Sequence, residues 1–157
     1  DFKASMKHCQ ALIESWIPKV SKAKRETCPL AGLSIALQCG GSDAFSGVSG
    51  NPAAGYAAKL LIEHGGKAVL AETDELIGAE SYVLKQVRDI KTAKAFQTCV
   101  ERFKERMSWH AQTAESNPSG GNNLRGLYNI ALKSLGAAKK KHRDVRLDGG
   151  LEYSDPD

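Results

Sequence analysis

From about Ser5 to Arg25 apolar residues recur at helical spacing, with Leu12, Ile13, Trp16 and Val20 on one face, which predicts an amphipathic helix. Pro18 lies inside that span and is expected to bend or divide it. The pattern then shortens. Leu30-Ala-Gly-Leu-Ser-Ile-Ala-Leu37 is a mostly apolar run of strand length, ending at Cys39-Gly-Gly41, and residues drawn mainly from Gly, Ser and Asp follow as a loop. Asn51-Pro52 reads as a helix start, with Asn as N-cap and Pro at the first helical position. Ala54, Ala57, Ala58, Leu61 and Ile62 keep helical register until Gly65-Gly66 stops the helix. Lys67–Ala71 is a second short apolar strand that opens onto an acidic segment, Glu72 to Glu80. Helices are expected over roughly 79–88 and 91–108. A second loop of small and polar residues, Ser116 to Gly126, leads into a helix with Leu127, Ile130, Ala131, Leu135 and Ala138 in register. Residues 144–157 have little to bury and read as a flexible tail.

Strand, glycine-rich loop, helix, strand, acidic loop and helix, in that order, describe a βαβ unit with parallel strands. The expected fold is therefore α/β, a three-layer Rossmann-like sandwich with a mostly parallel sheet. The whole chain, 1–157, is read as one domain with its motif-bearing core at 26–138. Ligands of such sheets sit at the carboxyl ends of the strands. Cys39–Gly47 and Glu72–Glu80 both leave those ends and are expected to meet at one crevice.

Charge changes this picture little. The excess of +4 gathers partly in Lys19–Arg25 and Lys139–Arg143, neither interleaved with the aromatics a base-stacking surface needs, so nucleic acid is not an expected partner. Lys139, Lys140 and Lys141 follow a helical pattern and are expected as a solvated helix end, favoured by the negative pole of the dipole. A modest positive field suits an anionic small substrate. Apolar stretches such as Ala31–Leu37 fall far short of the ~20 residues of a membrane span. Cys9, Cys28, Cys39 and Cys99 form no C-x-x-C pair and no Cys/His zinc spacing, which fits reduced thiols in a cytoplasm. The N-terminus, Asp-Phe-Lys-Ala, carries no apolar signal core and no initiator Met, and reads as a boundary within a longer protein.

The two loops hold the candidate chemistry. Successive glycines at Gly40 and Gly41 let the backbone approach a ligand and present N–H groups to an anion. Ser42 and Ser46 add hydroxyls, Asp43 adds a carboxylate, and Asn51 brings a helix start nearby. A tight turn with no ligand is the plain alternative. The pattern is neither G-x-G-x-x-G nor G-x-x-x-x-G-K-[ST], which argues against dinucleotide and P-loop readings. Cys39 is open to three roles: nucleophile, ligand to Fe²⁺ or another late divalent ion, or packed thiol. Glu72, Asp74, Glu75 and Glu80 offer a metal ligand or a general base, with Glu72 nearest the strand end; the first turn of a following helix would also favour such acids. Lys133 and Arg125 are candidates to hold a substrate carboxylate, against solvated side chains. His64 reads as a helix-end residue, and His110 has no partner in the adjacent pattern.

Taken together, Gln38-Cys-Gly-Gly-Ser-Asp-Ala-Phe-Ser-Gly-Val48 and Asn51-Pro-Ala-Ala-Gly55 resemble the altronate/galactarate dehydratase family. Gly65-Gly66, the strand Lys67–Ala71 and Glu72-Thr-Asp-Glu-Leu-Ile-Gly-Ala-Glu80 continue the resemblance. So do Asn117-Pro-Ser-Gly-Gly-Asn122, Gly126-Leu127, Asn129 and Lys133-Ser-Leu-Gly-Ala137. The match spans about 30–138. It departs where the family has Pro-Gly-Asn-Lys and this chain has Gly120-Gly-Asn-Asn123, and family enzymes are several times longer.

The resemblance implies a hydro-lyase that dehydrates a hexonate or hexarate to a 2-keto-3-deoxy acid, dependent on Fe²⁺ or Mn²⁺. It implies Cys39 and Glu72 as metal ligands, and Glu72, Glu75 and Lys133 as catalytic residues. Gly40, Gly41, Ser42, Asp43, Ser46, Asn51 and Asn122 would then hold an anionic sugar acid. A homo-oligomer is compatible with the pattern. Two other readings fit the same loops: a sulfolactate sulfo-lyase of the same family, and a non-catalytic sugar-acid binding module.

Overall fold

The computed structural model describes residues 1–152; residues 153–157, the end of the expected tail, lie outside the described residues. Helix α1, Phe2–Val20, is capped by Asp1, whose carboxylate accepts from the backbone N–H of Lys3 at 3.1 Å. Pro18 neither breaks nor divides it, because it falls in the last turn, where only one hydrogen bond is lost. The apolar face lies otherwise than expected. Leu12, Ile13, Trp16 and Val20 are all exposed, and no residue of α1 is buried.

Strands β1, Ser34–Leu37, and β2, Lys67–Leu70, pair in parallel with Ser34 opposite Lys67 and Leu37 opposite Leu70. Helix α2, Gly50–Glu63, connects them and packs against β2. The βαβ unit is thus present. Among the described residues, however, the sheet is two strands wide and every strand residue is exposed or half-buried. The molecule is a mixed helix–strand fold with a small parallel sheet.

Ser49, not Asn51, occupies the N-cap position of α2. Pro52 still sits in the first turn, where a missing N–H costs nothing. Freed from capping, the Asn51 amide donates to the Gly136 carbonyl at 3.0 Å and ties α2 to a later helix. Gly65 ends α2 at φ +85°, a conformation glycine adopts without penalty. His64 reads as expected: its Nδ1 lies 2.8 Å from the Leu60 carbonyl of the last turn.

Beyond β2 a 3-10 turn, Thr73–Leu76, leads to α3, Glu80–Val83, which is shorter than the expected 79–88. Helix α4, Ile90–Ser108, starts at Asp89, whose carboxylate accepts from the Thr92 N–H at 2.7 Å. The second small-residue loop contains a short helix, α5, Gly120–Leu124, closed by reciprocal Ser119 and Asn122 bonds. Helix α6, Ile130–Ala138, is capped by Asn129. The core lies beneath the acidic turn rather than on the sheet: Leu76, Ile77, Ala79, Val83, Phe96, Val100, Ile130 and Ala138 form it.

Lys140 and Lys141 are not a solvated helix end. They are 7% and 6% exposed, because the chain after α6 folds back between α2 and α3. There the Tyr82 hydroxyl donates to the Lys141 carbonyl at 3.1 Å, and Gly55 lies directly under the Lys139 and Lys140 carbonyls. Burial pushes the Lys141 ammonium below its usual pKa. Among the described residues no helix is long and apolar enough to cross a membrane, and Cys9, Cys28, Cys39 and Cys99 are free thiols.

Candidate functional site

The loops leaving β1 and β2 meet as expected, through Glu72. Its Oε2 accepts from the Cys39 backbone N–H at 2.8 Å, and its Oε1 accepts from the Gln38 amide at 3.1 Å. Glu72 makes this bridge with φ +66°, ψ +82°, a left-handed conformation that side-chain-bearing residues rarely adopt. Such strain persists only where the surrounding structure imposes it. Here the constraint is visible: β2 fixes the residue on one side and the buried Glu75–Leu76 fixes it on the other.

Cys39 Sγ stands 2.6 Å from Ser42 Oγ, half-buried at the head of the loop. The Asn122 amide donates to the Ser42 carbonyl at 2.9 Å, and the Ala44 N–H donates to the Arg125 carbonyl at 2.9 Å. The Asn117–Asn122 region is therefore stitched onto the Cys39 loop, which makes three motif segments converge. Gly40 and Gly41 are exposed. A Cβ on either would meet nothing within 4 Å, and neither is in the left-handed region. Neither backbone angle nor packing among the described residues requires glycine there.

Asp43 and Ser46 turn to one another. Asp43 Oδ1 accepts from the Ser46 N–H at 2.6 Å and from its hydroxyl at 2.9 Å. These two bonds, helped by the Phe45 N–H and the Arg125 charge, hold the Asp43 carboxyl below its usual value. They close the loop locally and commit Asp43 Oδ1 and the Ser46 hydroxyl to each other. Asn51 is similarly committed to Gly136, while Gly47 packs against Gly136 so closely that a Cβ would lie 3.0 Å from its Cα.

A second cluster lies behind the acidic turn. Lys133 Nζ is 3.0 Å from Glu75 Oε1, with side chains only 9% and 8% exposed. Lys133 also donates to Asn117 Oδ1, and the Asn117 amide donates to Asp74 Oδ2 at 2.8 Å. Glu75 Oε2 is buried and lacks a hydrogen-bond partner among the described residues. Successive carboxylates of one short turn thus take separate directions: Glu72 to the Cys39 loop, Asp74 to Asn117, and Glu75 to Lys133. Asp74 and Asn117 also border a cavity of about 220 Å³ beside Met107 and Thr113.

Sequence spacing placed Asp74 and Asn117 in loops without pairing them, since only the packing of α6 against the turn brings them together. It also passed over Arg102 and Arg106. They lie four apart on α4, hence on one face, and line a cleft with Glu72 and Asp74.

A divalent ion needs more donors than this site gathers. Cys39 and Glu72 supply two, and both Glu72 oxygens already accept hydrogen bonds. Among the described residues no three His, Cys, Asp or Glu side chains stand together as a metal site requires. These residues do not by themselves fit Fe²⁺ or Mn²⁺. What the two loops offer a ligand is the chain's own acids, bases and hydrogen-bond donors.

The parallel unit, the glycine loop and the strained glutamate come together at the strand ends. The D-galactarate/Altronate dehydratase, C-terminal family matches residues 30–156, and the chain belongs to it. Among its relatives, galactarate dehydratase (L-threo-forming) of Escherichia coli (strain K12) is 33% identical over 144 residues, 92% of this chain and 28% of the relative. Altronate dehydratase of Bacillus subtilis (strain 168) is 38% identical over 117 residues, 74% of this chain and 24% of the relative. The (2R)-sulfolactate sulfo-lyase subunit beta of Chromohalobacter salexigens is 32% identical over 142 residues, 89% of this chain and 36% of the relative. The chain therefore spans about a quarter to a third of the length of these relatives, which are lyases by name.

Proposed function

We propose that this chain is the loop-bearing part of a lyase that dehydrates a hexonate or hexarate, of the altronate or galactarate kind, to a 2-keto-3-deoxy acid. The observation that carries the reading is Glu72, a left-handed residue whose carboxylate joins the two loops leaving the strand ends. In this reading a substrate carboxylate sits over Gly40 and Gly41, taking backbone N–H donors and the Ser42 hydroxyl. Glu72 accepts the proton on the carbon beside that carboxylate. Lys133, ion-paired with Glu75 behind the turn, is the cation and proton donor of the set. The C–H pair becomes the enol double bond, the neighbouring C–O bond breaks, hydroxide leaves as water with the donated proton, and the enol tautomerises to the ketone. Asn122 holds the loop through Ser42 rather than reaching the reacting carbon.

Fe²⁺ or Mn²⁺ remains the ion to test. Cys39 and Glu72 would be two of its ligands, and the others would come from outside the described residues. The same reading makes the two strands part of a wider, three-layer sheet completed by segments found in the longer relatives. Similarity to the sulfo-lyase subunit supports a second reading of the same site, in which sulfite leaves instead of hydroxide.

The test is anaerobic titration of Fe²⁺ and Mn²⁺, with and without galactarate or altronate, into this chain and Cys39→Ala. Sugar-acid binding by the chain is the expected result, with any metal binding weak, because Cys39 and Glu72 alone would hold the ion, and lost in the variant. Failure of the folded chain to bind either sugar acid, with or without metal, would overturn the lyase reading.

A further inference from the structure

Beyond Glu72 lies a cleft of about 350 Å³, lined by Glu72 and Asp74 of the acidic turn, Arg102 and Arg106 of α4, and Glu152 of the tail. Its size falls at the lower end of the ~300–1,000 Å³ typical of small-molecule sites. Arg102 meets Glu152 fork to fork: Nη1 to Oε2 at 2.6 Å and Nη2 to Oε1 at 3.0 Å. Two parallel N–H donors on two carboxylate oxygens are the geometry by which arginine recognises any carboxylate. The Arg102 bond holds the Glu152 carboxyl below its usual pKa, so it stays ionised.

The tail reaches this point by a defined route. Leu147 pairs with Val87, and its N–H and C=O bond to Gln86 and Arg88 at 2.9 Å each. Gly149-Gly150 then intervenes, with open space around Gly149, before Leu151 and Glu152 enter the cleft. Two glycines make a pliant connection. The ion pair is also weak: its side chains are 45% and 51% exposed, and exposed pairs are strongly screened. A carboxylate of the tail thus sits, displaceably, on an arginine that shares a cleft with the proposed proton acceptor.

We infer that Arg102 is the receptor for the distal carboxylate of a dicarboxylic sugar acid lying along the Glu72–Asp74 turn, and that Glu152 occupies this receptor as an internal competitor. The inference rests on the lyase reading and extends it to the choice between hexarates and hexonates. A hexarate has the second carboxylate that Arg102 takes, and a hexonate ends there in a hydroxyl.

The experiment is calorimetric titration of galactarate and of altronate into the full chain, Arg102→Ala, Arg102→Lys and Glu152→Gln at low salt. Arg102→Ala is expected to weaken galactarate by about ten-fold or more, leaving altronate within about two-fold. Arg102→Lys, which keeps the charge without the fork, should fall between. Glu152→Gln should tighten galactarate by about two- to five-fold, the share of a displaced exposed pair. Equal losses of both acids in Arg102→Ala, or no gain in Glu152→Gln, would overturn the inference. Altronate binding with no galactarate binding, in wild type and Glu152→Gln alike, defeats the Arg102 receptor and leaves the lyase reading standing. Binding of neither acid by any variant defeats both.

Discussion

Replacing Lys133 by Met leaves Glu75 inside the protein without its cation. At 3.0 Å and an effective dielectric of about 20, the lost attraction is about 5.5 kcal/mol. Desolvation of both groups offsets much of that in the intact pair, but removing one partner leaves the other's desolvation uncompensated. Among the described residues Glu75 Oε2 already lacks a partner, so the remaining carboxylate has no local bond to fall back on. Asn117 Oδ1 loses its donor as well, adding about 1 kcal/mol. The expected cost is about 3–5 kcal/mol. With a urea slope of about 2 kcal/mol per molar, the unfolding midpoint should fall by about 1.5–2.5 M. Pairing Lys133→Met with Glu75→Leu removes both charges at similar volume and should restore most of the loss, although the double variant should be inactive. Urea unfolding followed by circular dichroism, run as a double-mutant cycle, measures all three changes. A single-variant cost below about 1 kcal/mol, or a double variant no more stable than Lys133→Met, would refute the reasoning.

Two further predictions concern the scaffold of the site. Gly55→Ala places a Cβ 2.4 Å from the Lys139 carbonyl oxygen and 3.0 Å from that of Lys140, backbone atoms that cannot simply rotate away. A loss of about 1–3 kcal/mol in chemical unfolding is expected; neutrality would mean that α2 and α6 shift apart freely. The Asp89 carboxyl is held far below its ordinary value of 3.8, first by the Thr92 N–H and then by Arg88. Its folded pKa is depressed, so the cap contributes fully above the unfolded value and fades as pH falls below about 4. Asp89→Ala should therefore destabilise the fold at pH 7, and the difference from wild type should shrink in acid. A difference that persists unchanged at pH 2 would count against the cap as its source.

Local chemistry wrote much of the chain plainly. Short apolar runs set between glycines and Asn-Pro marked β1, α2 and β2, and parallel pairing followed from a crossover too long for a hairpin. The meeting of the two loops was legible because strand ends in such a unit converge, and the Glu72–Cys39 bond joins them. The motif residues sufficed to show the family.

Tertiary structure decided what periodicity cannot express. Periodicity states that one face is apolar and not what covers it, so Leu12, Ile13, Trp16 and Val20 of α1 are exposed while Lys140 and Lys141 are enclosed. Residues with more than one possible partner were also settled by packing. Asn51 left the N-cap for Gly136, and Asp43 and Ser46 satisfied each other. Lys133, read from the sequence as a cation for a substrate carboxylate or a solvated side chain, met Glu75 and Asn117 because α6 packs on the turn 73–76. Each of these outcomes joins residues far apart along the chain or chooses between competing bonds of similar strength. Spacing fixes a residue's local conformation; its partner is fixed only when separate elements come together.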